Sequence, residues 1–170
     1  LTLIANLSAL GAETDMVSTD VQRAVDREQT PSDEQIECWI DAALASAQTD
    51  RAALTIRFVG ESEMSSLNQQ FRGRSGPTNV LSFPFEAPDG VPEVEHEMGD
   101  IVVCAPLVAS EANDQGKTEA AHCAHLIVHG VLHLQGYDHT DERAAQEMES
   151  LEIKILAGLG ITNPYLLETA

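Results

Sequence analysis

Residues 122–139 read HCAHLIVHGVLHLQGYDH and hold five of the protein's six histidines. The spacing predicts a helix over 118–135. Gly136 ends it, because a residue free to take positive φ can stop a helix and fold the chain back. Downstream, Thr140 reads as the cap of a helix over 141–159, with Gly158 or Gly160 as its stop. Upstream, residues 107–114 read as another helix. Further back the period falls to two. Leu54, Ile56 and Phe58 alternate with Thr55, Arg57 and Val59 as a strand, and a short helix carrying Met64, Leu67 and Phe71 follows.

Residues 80–85 read as a strand that Pro84 confines to a sheet edge. The acidic stretch 86–98, with Pro88, Gly90 and Pro92, reads as a loop or hairpin excursion, and 101–104 as a strand. Val17 to Val25 supplies a first strand. Thr30 as cap with Pro31 at the first helical position begins a helix whose apolar face is Ile36, Trp39, Ile40, Ala43, Leu44 and Ala47. Strands gather early and helices late. The expected fold is therefore α+β, a small mixed sheet packed with about five helices.

The 170 residues and 18.3 kDa suit one domain, expected over 16–170. Residues 1–15 read as an N-terminal extension, flexible or non-native, with Met16 a candidate start. Their apolar part is too short to cross a bilayer, and no membrane partner is expected. Nine Lys and Arg against 28 Asp and Glu give a net charge of -19, a field that repels phosphate polyanions and acidic membranes. Charge-driven nucleic-acid binding is thereby excluded; a nucleic-acid enzyme survives only if its few cations converge or a protein partner supplies affinity. Cys38, Cys104 and Cys123 are far apart and odd in number, which suits buried thiols in a reducing cytosol.

His129 and His133 lie four apart on the expected helix, so their imidazoles share a face one turn apart and can share an ion. His139 follows beyond the Gly136 bend and can join them. His125 is eight residues from His133, about 12 Å along a helix, which is too far for a common ion. It reads as a core histidine or one that orients a ligand. The spacing H-x3-H-x5-H is that of metzincin proteases, but Gly130 stands where those enzymes place the glutamate that acts as base. Three neutral imidazoles would leave Zn²⁺, one per chain, with an open position and a bound water whose pKa falls to about 7.

Together with NQQFRGRSGPTNVLSFPFE at 68–86 and GDIVVC at 99–104, the segment HGVLHLQGYDH at 129–139 resembles the YbeY endoribonucleases, bacterial rRNA maturation factors. QGK at 115–117 agrees in position and order. The resemblance implies a zinc-dependent endoribonuclease specific for single strands, cytoplasmic, that matures the 3′ end of 16S ribosomal RNA and serves ribosome quality control, with the ribosome or ribosome-associated proteins as partners. It also implies that His129, His133 and His139 are the zinc ligands and that Arg72 is the important arginine.

Independently of that resemblance, Arg72 and Arg74 sit together in a Gly- and Pro-bearing segment. A guanidinium there can grip a phosphate and offset charge that builds on its oxygens. Ser82 is a further candidate substrate contact, beside Thr78 and Asn79, for which turn roles serve equally. Asp138 reads either as an orienting group or as a turn residue, and the acidic run 141–152 as a solvated helix face. Two rival readings remain: a zinc peptidase-like hydrolase, and a non-catalytic ribosome assembly factor whose zinc is structural.

Overall fold

The computed structural model describes residues 16–45, 51–92 and 96–166. The expected extension at 1–15 and Ala47 lie outside them. Nine strands and α-helices follow in order: β1 (Met16–Arg23), α1 (Asp33–Leu44), β2 (Arg51–Val59), α2 (Glu61–Arg72), β3 (Val80–Pro84), β4 (Glu97–Cys104), α3 (Ala105–Asp114), α4 (Glu119–Leu134) and α5 (Glu142–Gly158), with a 3-10 turn at Arg27–Gln29. The four strands form one mixed sheet in the order β1-β2-β4-β3. The first two pairings are parallel and β3 runs antiparallel to β4. Pro84 ends β3 at the sheet edge, where its missing N–H breaks no ladder.

Period-two alternation decides what each sheet face meets. Leu54, Ile56 and Phe58 of β2, with Ile101 and Val103 of β4, pack under α1, α4 and α5 in the main core. Val59, Val102, Cys104 and Leu81 face the other way, against Met64 of α2. In α1, Ile36, Trp39, Ile40, Ala43 and Leu44 are all buried, as their spacing predicts.

Three of the boundaries that differ from expectation do so for a local reason. Ser32, not Thr30, caps α1, and Gln35 completes a capping box. The Thr30 hydroxyl is already engaged: it donates to the Arg27 carbonyl at 2.9 Å and accepts from Arg23 Nε at 2.7 Å. Asp141, not Thr140, caps α5, its Oδ1 accepting from Ala144 N at 2.8 Å. Strand β4 begins at Glu97, inside the expected loop. Gly99 permits this, since it has φ 133° and a Cβ there would collide with the Phe83 carbonyl oxygen. Cys38 is exposed on the outer side of α1, unlike the buried Cys104 and Cys123.

Among the described residues no helix is long and apolar enough to cross a membrane.

Candidate metal centre

Thr118 caps α4 through a 3.1 Å bond from Ala121 N. The helix then runs over the sheet, where Gly130 rests on Ile101 of β4. A Cβ at position 130 would stand 2.9 Å from Ile101 Cδ1 and about 3 Å from the rest of that side chain. Across the ladder Ile101 pairs with Ser82, so the close approach at Gly130 sets His129 beside the cleft-facing row of β3. At the helix end Gly136 takes φ 94°, and the chain turns back with Tyr137 N bonded to the Leu132 carbonyl at 3.1 Å. This turn returns His139 to His129 and His133.

One ring nitrogen from each of His129, His133 and His139 lies within 4.8 Å of the others. His129 Nε2 and His133 Nε2 face each other at 3.0 Å. The partners of the opposite nitrogens fix what these atoms carry. His133 Nδ1 meets the Tyr137 carbonyl oxygen at 2.9 Å, and a carbonyl only accepts, so Nδ1 holds the proton. His129 Nδ1 meets Glu152 Oε1 at 2.5 Å. Burial pushes the Glu152 carboxyl up, but hydrogen bonds from His125, His129 and Tyr165 outweigh it and hold the group at about 2, so it is an ionised acceptor. Both facing Nε2 atoms therefore present lone pairs to one another, an arrangement that a shared cation relieves. Burial, and then the neighbouring His129, lower the pKa of His133 and favour the neutral ring a metal needs. Tetrahedral zinc sites place ligand nitrogens about 3.3 Å apart, close to the 3.0 Å between His129 Nε2 and His133 Nε2, so the trio fits a metal.

The cleft around the trio has a volume of about 470 Å³ and is also lined by Arg72, Asn79, Ser82, Tyr137 and Asp138. Arg72 reaches it from the last turn of α2, where Gly73 with φ 65° ends the helix. Ser82 reaches it by register: Val80, Ser82 and Pro84 share the α4 side of β3, while Leu81 turns to the α2 side. Arg74 is exposed and outside the residues lining the cleft. Asp138 Oδ1 accepts from His139 N at 2.7 Å and lies 3.9 Å from His139 Nδ1.

A family model described as Endoribonuclease YbeY matches residues 18–160. The chain belongs to the YbeY endoribonuclease family. Endoribonuclease YbeY of Coxiella burnetii strain Dugway 5J108-111 is 53% identical over 152 residues, spanning 88% of this chain and 99% of the relative. Endoribonuclease YbeY of Alkalilimnicola ehrlichii is 58% identical over 131 residues, 76% of this chain and 79% of the relative. The solution structure of TM1509 from Thermotoga maritima matches the fold with a TM-score of 0.53 at 22% identity, covering 89% of this chain and 99% of that one.

In this YbeY-family chain the sequence reading missed Glu152, which it placed on a solvated face. Glu152 is fully buried, in line with Met148 and Leu156 on the inner stripe of α5. That i, i+4 position between two apolar residues was the available signal. His125 belongs to the same network, its Nε2 at 3.1 Å from Glu152 Oε2 and 3.3 Å from the Tyr165 hydroxyl. Lys117 donates to the Pro164 carbonyl at 3.0 Å and so ties down the segment carrying Tyr165.

Proposed function

We propose that this chain is a zinc-dependent endoribonuclease specific for single-stranded RNA, which matures the 3′ end of 16S ribosomal RNA and serves ribosome quality control in the cytoplasm. The observation that carries the proposal is the pair of facing imidazole lone pairs, His129 Nε2 and His133 Nε2, in one cleft with His139 and Arg72. His129, His133 and His139 would hold the zinc. When bound there it supplies Lewis acidity and positive charge next to the phosphodiester.

The chain's own residues do the rest. Glu152 and the Tyr137 carbonyl keep the protons of His129 and His133 on Nδ1 and so aim both Nε2 atoms into the cleft. Arg72 binds the phosphate and offsets the charge that grows on its free oxygens during attack. Ser82 orients the backbone from the edge strand, and Arg74, exposed two residues beyond Arg72, adds a second cation outside the cleft lining. The net charge of -19 weakens capture of free RNA, so ribosome-associated proteins deliver the strand.

Gly130 speaks against a peptidase. The position where a metzincin carries its base is packed on Ile101, and a glutamate there would force its carboxylate against the apolar sheet. A purely structural zinc is disfavoured because such sites close with a fourth protein ligand. Among the described residues only three ligands gather.

Metal analysis of the purified protein, followed by incubation of the zinc-loaded form with single-stranded ribosomal RNA and with casein, tests the proposal. One zinc per chain with RNA cut and casein intact supports it. Cleavage of casein alone, or RNA cleavage undiminished in a metal-free His133→Ala protein, sinks it. End mapping of 16S RNA in cells lacking the protein tests the biological role.

A further inference from the structure

Asn79 immediately precedes β3 and lines the cleft that holds the histidine trio. Its backbone carbonyl accepts from Cys104 N at 2.9 Å, which pins the residue to β4. Its side-chain amide is pinned as well. Nδ2 donates to Glu111 of α3, at 3.1 Å from Oε2 and 3.4 Å from Oε1. The same Glu111 Oε2 receives His122 Nε2 of α4 at 2.7 Å. His122 is only 4% exposed, and its Nδ1 is buried with no partner. Leaving a ring nitrogen unpaired in the interior costs stability. The pair nonetheless holds one amide at the cleft wall in one orientation.

That orientation follows from chemistry. A carboxylate offers acceptors only, so Asn79 has to turn its NH2 toward Glu111, which leaves Oδ1 for a ligand. Among the described residues no donor reaches Asn79 Oδ1. The cleft wall at this point is therefore a fixed acceptor. It disfavours the phosphate oxygens that Arg72 attracts and suits a hydroxyl or N–H donor. On a single strand, one donor recurs at every nucleotide whatever the base, namely the 2′-hydroxyl, and it distinguishes RNA from DNA.

Resting on the function proposed above, we propose that Asn79 Oδ1 accepts a hydrogen bond from a substrate 2′-hydroxyl. Asn79 is then a specificity-determining residue for ribose, with Glu111 and His122 as positioning residues that stop its amide from turning.

The test measures initial rates of cleavage of a labelled single-stranded RNA by the zinc-loaded protein. Unlabelled competitors of one sequence are added as RNA, as the 2′-fluoro strand, which keeps the sugar pucker but has no donor, and as DNA. In the wild type the RNA strand competes about 5- to 10-fold better than the 2′-fluoro strand, the effect of one net hydrogen bond. Asn79→Ala brings that ratio to within about twofold of unity. Glu111→Gln lowers it too, since a side chain that can donate lets the amide turn; it decides the matter if Asn79→Ala fails to fold. A general loss of stability weakens all competitors together and leaves the ratio alone.

Equal competition in a wild type that cuts RNA overturns the assignment while leaving the nuclease reading intact. So does a ratio unchanged in the folded variants. Failure of the metal-loaded wild type to cut RNA overturns the nuclease reading itself.

Discussion

Glu152 Oε1 stands 2.5 Å from His129 Nδ1, joining the fully buried carboxylate of α5 to the cleft-facing imidazole of α4. The other carboxylate oxygen accepts from the Tyr165 hydroxyl and meets His125, so one acidic side chain anchors three polar groups in the interior. The anchor fixes both the direction and the protonation of His129, which a helix alone leaves open.

Removing it therefore acts in two ways. Glu152→Gln lowers zinc affinity by about 10- to 100-fold, the usual effect of losing an outer partner of a metal-binding histidine, as read by chelator competition. It also lowers unfolding free energy by about 2 to 3 kcal/mol in urea, because His125, His129 and Tyr165 lose the ionised acceptor of their hydrogen bonds. Unchanged zinc affinity would show that His129 is oriented by the helix alone.

Arg72 is predicted to separate chemistry from metal binding. It is exposed, and among the described residues it forms no ion pair, so Arg72→Ala leaves zinc content and melting temperature unchanged. Cleavage of single-stranded RNA falls by about 100- to 1,000-fold, the scale expected when one charge-stabilising donor is lost. Arg72→Lys restores only part of the rate, because an ammonium lacks the planar fork. A variant that retains the full rate removes Arg72 from the mechanism.

Gly99→Ala tests the junction of the edge strand with β4. Position 99 has φ 133°, and an added Cβ meets the Phe83 carbonyl oxygen, so backbone strain and collision act together. The expected cost is about 2 to 4 kcal/mol by chemical denaturation. RNA cleavage falls as well, because the displaced strand carries Ser82. A substitution costing less than about 0.5 kcal/mol would mean that the strand pair relaxes freely.

Asp33 sets an acid limb of stability. Its carboxyl is held below the ordinary aspartate range, first by the hydrogen bond from Arg23, whose Nη2 lies 2.6 Å from Oδ1. A carboxyl depressed in the folded state contributes stability that is complete above its unfolded pKa and is lost as pH falls through the folded value. Asp33→Asn therefore destabilises the protein at about pH 6 and has little effect at about pH 2. Equal destabilisation at the two pH values would show that the pair contributes through shape rather than charge.

What could be read from the linear chain was whatever depends on neighbours a few positions apart. Helical spacing placed His129 and His133 on one face, and the glycine at 136 marked the bend that returns His139. Period-two alternation found β2, and the proline at 84 put β3 at an edge. Caps were legible less well, because Thr30 and Thr140 have the right chemistry while Ser32 and Asp141 have the right geometry. The choice depends on contacts such as the Arg23 bond to Thr30.

Other features were set by pairings far along the chain. Glu152 lies 23 residues from His129 and Glu111 lies 32 from Asn79; neither distance corresponds to any periodicity. Their meeting depends on how α5 and α3 settle against α4, which is decided by burial of Met148, Leu156, Val108 and Ala112. Local spacing determines which side chains share a face, because backbone geometry repeats. Which charged group enters the interior is decided by packing, because a carboxylate becomes stable there only when the assembled fold brings it hydrogen-bond donors.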